Sequence, residues 1–225
     1  MREIEYTVEE YFEGKKLISF LRGHVKISVR LLRSLKRVEG GIKVNGNHAR
    51  TVDIIHAGDK VTLTIHEDEN ASIPIDYPLS VIYEDEDVLV IDKPAELPMH
   101  ESHNHQGDTL ANAVSGYLKK KGRNLSFRAV GRLDKGTSGL VICALNSHAA
   151  ARLSGNFEKT YYAVATGHYV GEGTIDKPIY RPDPIKTYRT ADDRGDRAVT
   201  HYTVLESGEN YSLLKINLET GRTHQ

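Results

Sequence analysis

Hydrophobic and polar positions along this chain recur in two different periods, and the change of period predicts its elements. Between residues 14 and 37, Leu17, Phe20 and Leu21, followed by the stretch Ser28 to Arg37, place apolar residues at helical spacing with cations on the other positions. That spacing predicts two short amphipathic helices. After Gly40-Gly41 the period falls to two, through Ile42-Lys43-Val44, Val52 to Ile55 and Gly58 to Ile65. The Asn45-Gly46-Asn47 stretch between alternating runs predicts a hairpin. Further strands are predicted at Leu79 to Tyr83, Val88 to Asp92, Gly139 to Leu145, Thr160 to Gly167, Ala198 to Glu206 and Tyr211 to Glu219. One helix is predicted from Thr109 to Lys120, capped near Asp108, and another from Ala149 to Phe157. The organisation is α+β, without internal repeats.

Composition narrows the class without naming a function. Hydrophobic residues make up 39% of the 225 positions and charged residues 27%, near the averages for folded globular domains, so disorder and fibrous repeats are excluded. No run of eighteen apolar residues occurs, and MREIEYTVEEYFEGKK lacks the features of a signal peptide, which predicts a cytoplasmic protein. Cys143 is the only cysteine, excluding an intrachain disulfide and any multi-cysteine zinc site.

Charge changes the picture more, because the net value of −1 conceals an asymmetry. Residues 15 to 66 hold eleven Lys or Arg against three acids, and residues 67 to 101 hold eleven acids against Lys93 alone. A domain boundary is therefore expected between residues 66 and 76, giving domains 1–70 and 71–225. The order of the first module, two basic helices leading into "VNG" and "GDKV", resembles the alpha-L RNA-binding motif of ribosomal protein S-four and its relatives. That resemblance implies RNA contact through Lys26, Arg30, Arg33, Lys36, Arg37 and Lys43, cations that release counterions along a phosphate backbone.

Candidate chemistry lies in Gly131-Arg132-Leu133-Asp134-Lys135-Gly136-Thr137-Ser138-Gly139-Leu140, a loop of small polar residues entering an apolar strand. By itself an aspartate there reads as a turn or capping residue. Three further segments accompany it: Asp92-Lys93-Pro94-Ala95 with His100 and Gly107-Asp108-Thr109-Leu110; Lys159-Thr160-Tyr161-Tyr162-Ala163; and Leu218-Glu219-Thr220-Gly221-Arg222-Thr223-His224-Gln225. Together they resemble the RluA-like pseudouridine synthase family over residues 79 to 225.

The resemblance implies a mainly antiparallel catalytic sheet with flanking helices, and an RNA-modifying enzyme that isomerises uridine without a cofactor or metal. It implies Asp134 as nucleophile, Arg222 as the cation that keeps it ionised, and Tyr161 as the ring that stacks on the base, with Tyr162 turned to the other face. Arg132 is implied to fill the gap left by the extruded uridine, and His100, Lys159 and Thr137 to bind substrate. Gly131 stands where the family commonly has His. Family members continue beyond "TGRTHQ" with a strand, a helix and glycines, so the C-terminal part of the fold is expected to be missing and this polypeptide to be impaired. The implied partner is structured RNA, ribosomal before transfer RNA, bound by a monomer with no membrane involved.

Other classes were weighed against this. A non-catalytic RNA-binding or ribosome assembly factor could retain the fold, but Asp134, Tyr161 and Arg222 are all present. A metal-dependent nuclease needs clustered carboxylates that the sequence does not supply near Asp134. His100, His103 and His105 lack an acidic or thiol partner at metal-ligand spacing, and Arg194-Gly195-Asp196, although it spells an adhesion tripeptide, reads as a solvent loop.

Overall fold

The structure, a computed structural model, describes residues 2–65, 72–102 and 105–225. The start of the acidic stretch (66–71), where the domain boundary was expected, and His103 thus lie outside the described residues. The chain starts with a strand the apolar pattern did not announce, β1 (Arg2–Thr7). The short strand β2 (Lys15–Lys16) leads into α1 (Leu17–Gly23), and α2 (Val29–Leu35) follows. Ser28 caps α2 by accepting a 3.1 Å hydrogen bond from the Leu31 amide, and both helices bury their leucines. Four strands complete this region: β3 (Ile42–Val44), β4 (Asn47–His48), β5 (Ile54–Ile55) and β6 (Lys60–Ile65). Asn45 and Gly46 both hold positive φ, 49° and 80°, the conformation of a two-residue hairpin turn, so Val44 pairs with Asn47 as expected.

The middle of the chain contributes β7 (Ser80–Glu84), β8 (Val88–Lys93), α3 (Leu110–Lys120), β9 (Arg128–Val130), β10 (Gly139–Ala144) and α4 (Ser147–Leu153). Two expectations about helix ends shift here. Thr109 is the N-cap of α3 through a reciprocal box with Asn112, while Asp108 binds His105 Nδ1 at 2.7 Å. Helix α4 starts earlier than expected because Asn146 caps it, accepting from the Ala149 amide at 2.9 Å, and it stops at Leu153 because Ser154 is extended and Gly155 has φ 76°. The last part holds β11 (Thr160–Thr166), β12 (Glu172–Asp176), β13 (Ile179–Tyr180), β14 (Thr190–Ala191), β15 (Val199–Ser207) and β16 (Tyr211–Leu218).

Every strand pairing among the described residues is antiparallel. The chain forms two compact units, Met1–Asn156 and Phe157–Gln225. The first holds the sheets β1-β6-β3-β4 and β7-β8-β10-β9, and the second holds β11-β16-β15-β12. The catalytic strands expected as one sheet are thus two sheets, one in each unit. The charge reversal near residue 70 lies inside the first unit, where Tyr6 Oη and His148 Nε2 meet at 2.7 Å across that reversal. The apolar side chains of this unit nevertheless form two clusters, one from Val8 to Ile65 and one from Leu89 to Leu145. No described helix is long and apolar enough to cross a membrane.

Candidate active site

The loop between β9 and β10 carries Asp134 and is held from below by a buried lysine. Gly131 has φ 83°, a conformation that L side chains avoid, which is a local reason for glycine at this position. The Asp134 carbonyl accepts from the Thr137 amide at 3.1 Å, closing a turn, and the Asp134 carboxylate stands half-exposed with Arg132 Nη2 at 3.8 Å. At the end of β8, opposite Gly139, Lys93 is wholly buried. Its ammonium donates to the carbonyls of Pro94 at 2.8 Å, Leu97 at 3.0 Å and Lys135 at 3.2 Å. All three donors are used, and the last joins the 94–97 turn to the residue after Asp134. Burial pushes the Lys93 pKa down, while the carboxylates of Glu96 and Asp134 act in the opposite sense. Lys93 stands within the Asp92-Lys93-Pro94-Ala95 motif, to which the sequence alone assigns no role for the lysine. The signal was a lysine in an apolar strand directly before a proline.

His100 lies at the surface beside Phe127, ring centroids 5.2 Å apart, and Asn112 on α3 tethers the neighbouring Glu101 at 2.8 Å. Desolvation, and after it the Arg132 cation, hold the His100 pKa below its ordinary 6.5. The sign follows from linkage. A folded-state pKa below the unfolded one means that the folded chain takes up this proton less readily, so the contribution to stability is present above pH 6.5 and is lost as pH falls below it. An NMR titration is expected to give His100 a midpoint below 6.5; a midpoint at or above that value would contradict this environment.

Tyr161, Lys159 and Arg222 belong to the second unit. Tyr161 is half-buried on β11 opposite Ile216, and Tyr162 points to the other side of the strand at 66% exposure. Lys159 is half-buried before the strand, its ammonium 5.3 Å from the Phe157 ring centre, and burial lowers its pKa. Arg222 sits in the turn after β16, which Gln225 closes. Gln225 Oε1 accepts from the Arg222 amide at 3.0 Å and the Thr220 hydroxyl at 2.9 Å, and Gln225 Nε2 donates to the Val199 carbonyl at 3.0 Å and Thr200 Oγ1 at 3.1 Å. Arg222 Nε donates to the Arg197 carbonyl at 3.1 Å, with Asp196 Oδ2 3.9 Å from Nη1. Within the first unit, Asp134, Arg132 and Thr137 share one loop and the Arg132 cation acts on His100. Tyr161, Lys159 and Arg222 stand on separate elements of the second. The positioning role of Gln225 rests on partners that only the folded chain brings to it.

In the N-terminal region, Lys26, Arg30, Arg33, Lys36 and Arg37 are exposed on and around α2. Lys43 differs from the other expected RNA contacts, because its ammonium is bound to Glu3 at 2.9 Å, and Lys60 is likewise bound to Glu5 at 2.9 Å. The unannounced β1 brings these acids. Over residues 1–66 twelve Lys or Arg face eight Asp or Glu, a net charge of +4, so the first fourteen residues, Glu3 and Glu5 of β1 among them, partly neutralise the basic module.

Residues 87–225 match the family model described as RNA pseudouridylate synthase. The chain is 35% identical over 233 residues to the "Uncharacterized RNA pseudouridine synthase YhcT" of Bacillus subtilis, covering all of this chain and 77% of that protein. It is 36% identical over 174 residues to "Ribosomal large subunit pseudouridine synthase D" of Escherichia coli K12, covering 75% of this chain and 53% of that protein. Among solved structures it is similar to "Human RNA Pseudouridylate Synthase Domain Containing 1", with TM-score 0.53, 27% identity, and coverage of 66% of this chain and 62% of that one. The chain therefore belongs to the RNA pseudouridine synthase family, a family of isomerases with a mixed α+β fold of antiparallel sheets. It spans about half the length of the ribosomal large subunit synthases it matches.

Proposed function

We propose that this protein converts uridine to pseudouridine in structured RNA, with large-subunit ribosomal RNA as the substrate, acting as a cytoplasmic monomer without a cofactor. The reaction breaks the bond from C1′ of the ribose to N1 of the base, turns the base, and joins C1′ to C5, whose hydrogen is released to solvent as one is taken up at N1. Asp134 is the nucleophile. Arg222 is the cation that pairs with it, Tyr161 stacks on the base, Arg132 occupies the gap in the stack, and His100, Lys159 and Thr137 contact the extruded nucleotide. A module of residues 1–70, similar to the S-four motif, delivers the RNA to a catalytic domain of residues 71–225. Its contacts are Lys26, Arg30, Arg33, Lys36 and Arg37, with Lys43 contributing once released from Glu3.

The observation that carries this reading is the Asp134 loop. A carboxylate is held half-exposed beside Arg132, on a loop tied down by the buried Lys93, inside the span matched by the family model. Support for the ribosomal target comes from the relatives named for the ribosomal large subunit. Incubation with unmodified transcripts of bacterial 23S ribosomal RNA and of transfer RNAs, followed by pseudouridine mapping, tests it. Conversion at discrete uridines of the ribosomal transcript is expected, and conversion confined to transfer RNA would overturn the assignment of target.

A further inference from the structure

The second unit contains an arginine-lined pocket of which the catalytic reading uses Arg222 alone. Its volume is roughly 400 Å³, and its walls include Tyr180, Arg181, Arg189, Arg194, Asp196 and Arg222. Four arginines thus line one space, with Asp196 as the one acidic residue in the lining and Asp192 paired to Arg194 beside it. Strands β13 and β14 and the turn 192–196 form most of it, so the Arg194-Gly195-Asp196 tripeptide is pocket wall and not merely a solvent loop.

Hydrogen bonds to main-chain carbonyls hold Arg181 and Arg189 without a carboxylate partner among the described residues, whereas Arg194 and Arg222 each have one, Asp192 and Asp196. Arg181 Nε donates to the Lys186 carbonyl at 3.0 Å, and Arg189 Nη1 donates to the carbonyls of Thr187 at 2.8 Å and Tyr188 at 3.0 Å. Arg194 is gripped in fork fashion by Asp192, at 2.8 and 2.7 Å, and lies 4.5 Å over the Tyr180 ring. Arg222 is steadied by the Arg197 carbonyl. Gly195 is required for closure, because a Cβ there would stand 2.3 Å from the carbonyl carbon of Ile179. Carbonyl-anchored guanidinium groups around one cavity suit a tetrahedral oxyanion, since each planar fork can offer two parallel N–H donors.

We infer that this pocket binds a backbone phosphodiester of the RNA substrate, so that Arg181 and Arg189 position the strand for the site that contains Arg222. The inference rests on the proposed RNA-modifying function and names a contact of that same substrate. Four arginines in one pocket, with room beyond a single phosphate for its adjoining ribose, favour a polymer backbone over a small anion.

The test compares full-length wild-type protein with R181E/R189E, both checked for unchanged thermal melting. A fluorescently labelled unmodified 23S ribosomal RNA transcript is the probe, because phosphate contacts do not depend on sequence. The double variant is expected to bind at least about tenfold more weakly in low salt, with a log Kd against log salt slope shallower by about 1 to 2. The double lysine variant R181K/R189K should recover the slope but only part of the affinity. Equal affinity and slope for wild type and R181E/R189E would overturn the inference. So would a result in which inorganic phosphate stabilises only the wild type while RNA affinity is the same for both, because the pocket would then be a small-anion site. An active Asp134→Ala variant would instead defeat the catalytic reading and leave the pocket result standing.

Discussion

Replacement of Asp134 by asparagine is expected to reduce pseudouridine formation to less than about one-thousandth of the wild-type rate, with RNA affinity within about twofold. Asparagine keeps the size of the side chain and removes the charge a nucleophile needs. The loop should survive the change, because its turn is closed by main-chain atoms, Thr137 to Asp134, and its anchor is Lys93 on the Lys135 carbonyl. Release of label from RNA carrying tritium at uridine C5 measures the rate, and salt-dependent binding measures the affinity. A variant that keeps more than a tenth of the rate would remove Asp134 from the chemistry. One that loses binding in parallel would assign it to substrate capture.

Exchange of Lys93 for methionine is expected to be the most damaging single change to the fold around this loop. Methionine matches the lysine stem but withdraws three hydrogen bonds from the carbonyls of Pro94, Leu97 and Lys135. Stranding buried acceptors costs about 1–3 kcal/mol for a group that finds no other partner, so a net loss of about 2–4 kcal/mol is anticipated after partial relaxation. Denaturant unfolding reads that loss. The accompanying kinetic signature separates positioning from bulk stability: kcat should fall while KM for RNA stays near wild type, since the phosphate contacts lie elsewhere. Arginine is not expected to rescue it, because a planar fork cannot meet three carbonyls that converge on one ammonium. Stability within about 0.5 kcal/mol of wild type and an unchanged kcat would show that the loop is anchored by other means.

How much of this was legible in the sequence depends on how local the cause is. The turn at Asn45-Gly46 was legible because two adjacent residues settle it by their tolerance for positive φ. The cap of α3 was one residue off, since Asp108 and Thr109 are both good caps and the choice fell to the reciprocal bond with Asn112, and α4 begins two residues and ends four residues before the expected span. Strand β1 escaped notice because its sequence is dominated by charge and its stability comes from pairing with β6 nearly sixty residues away. The same strand supplies Glu3 and Glu5, so the charge count for the basic module was incomplete. Strands β13 and β14 are two residues each, and no period can be read in so short a run. At the site, Asp134 was legible only through the family pattern, because an isolated aspartate in a Gly-rich loop has commoner uses. Lys93 and Gln225 were visible as motif letters, but their roles are set by carbonyls that the fold brings to them.

The clamp between Asp192 and Arg194 resists mild acid. Hydrogen bonds from Arg194, first from its side chain and then from its backbone, hold the Asp192 pKa down at about 2. Both members of that fork therefore keep their charges through the mildly acidic range, and the guanidinium stays aimed over Tyr180 there.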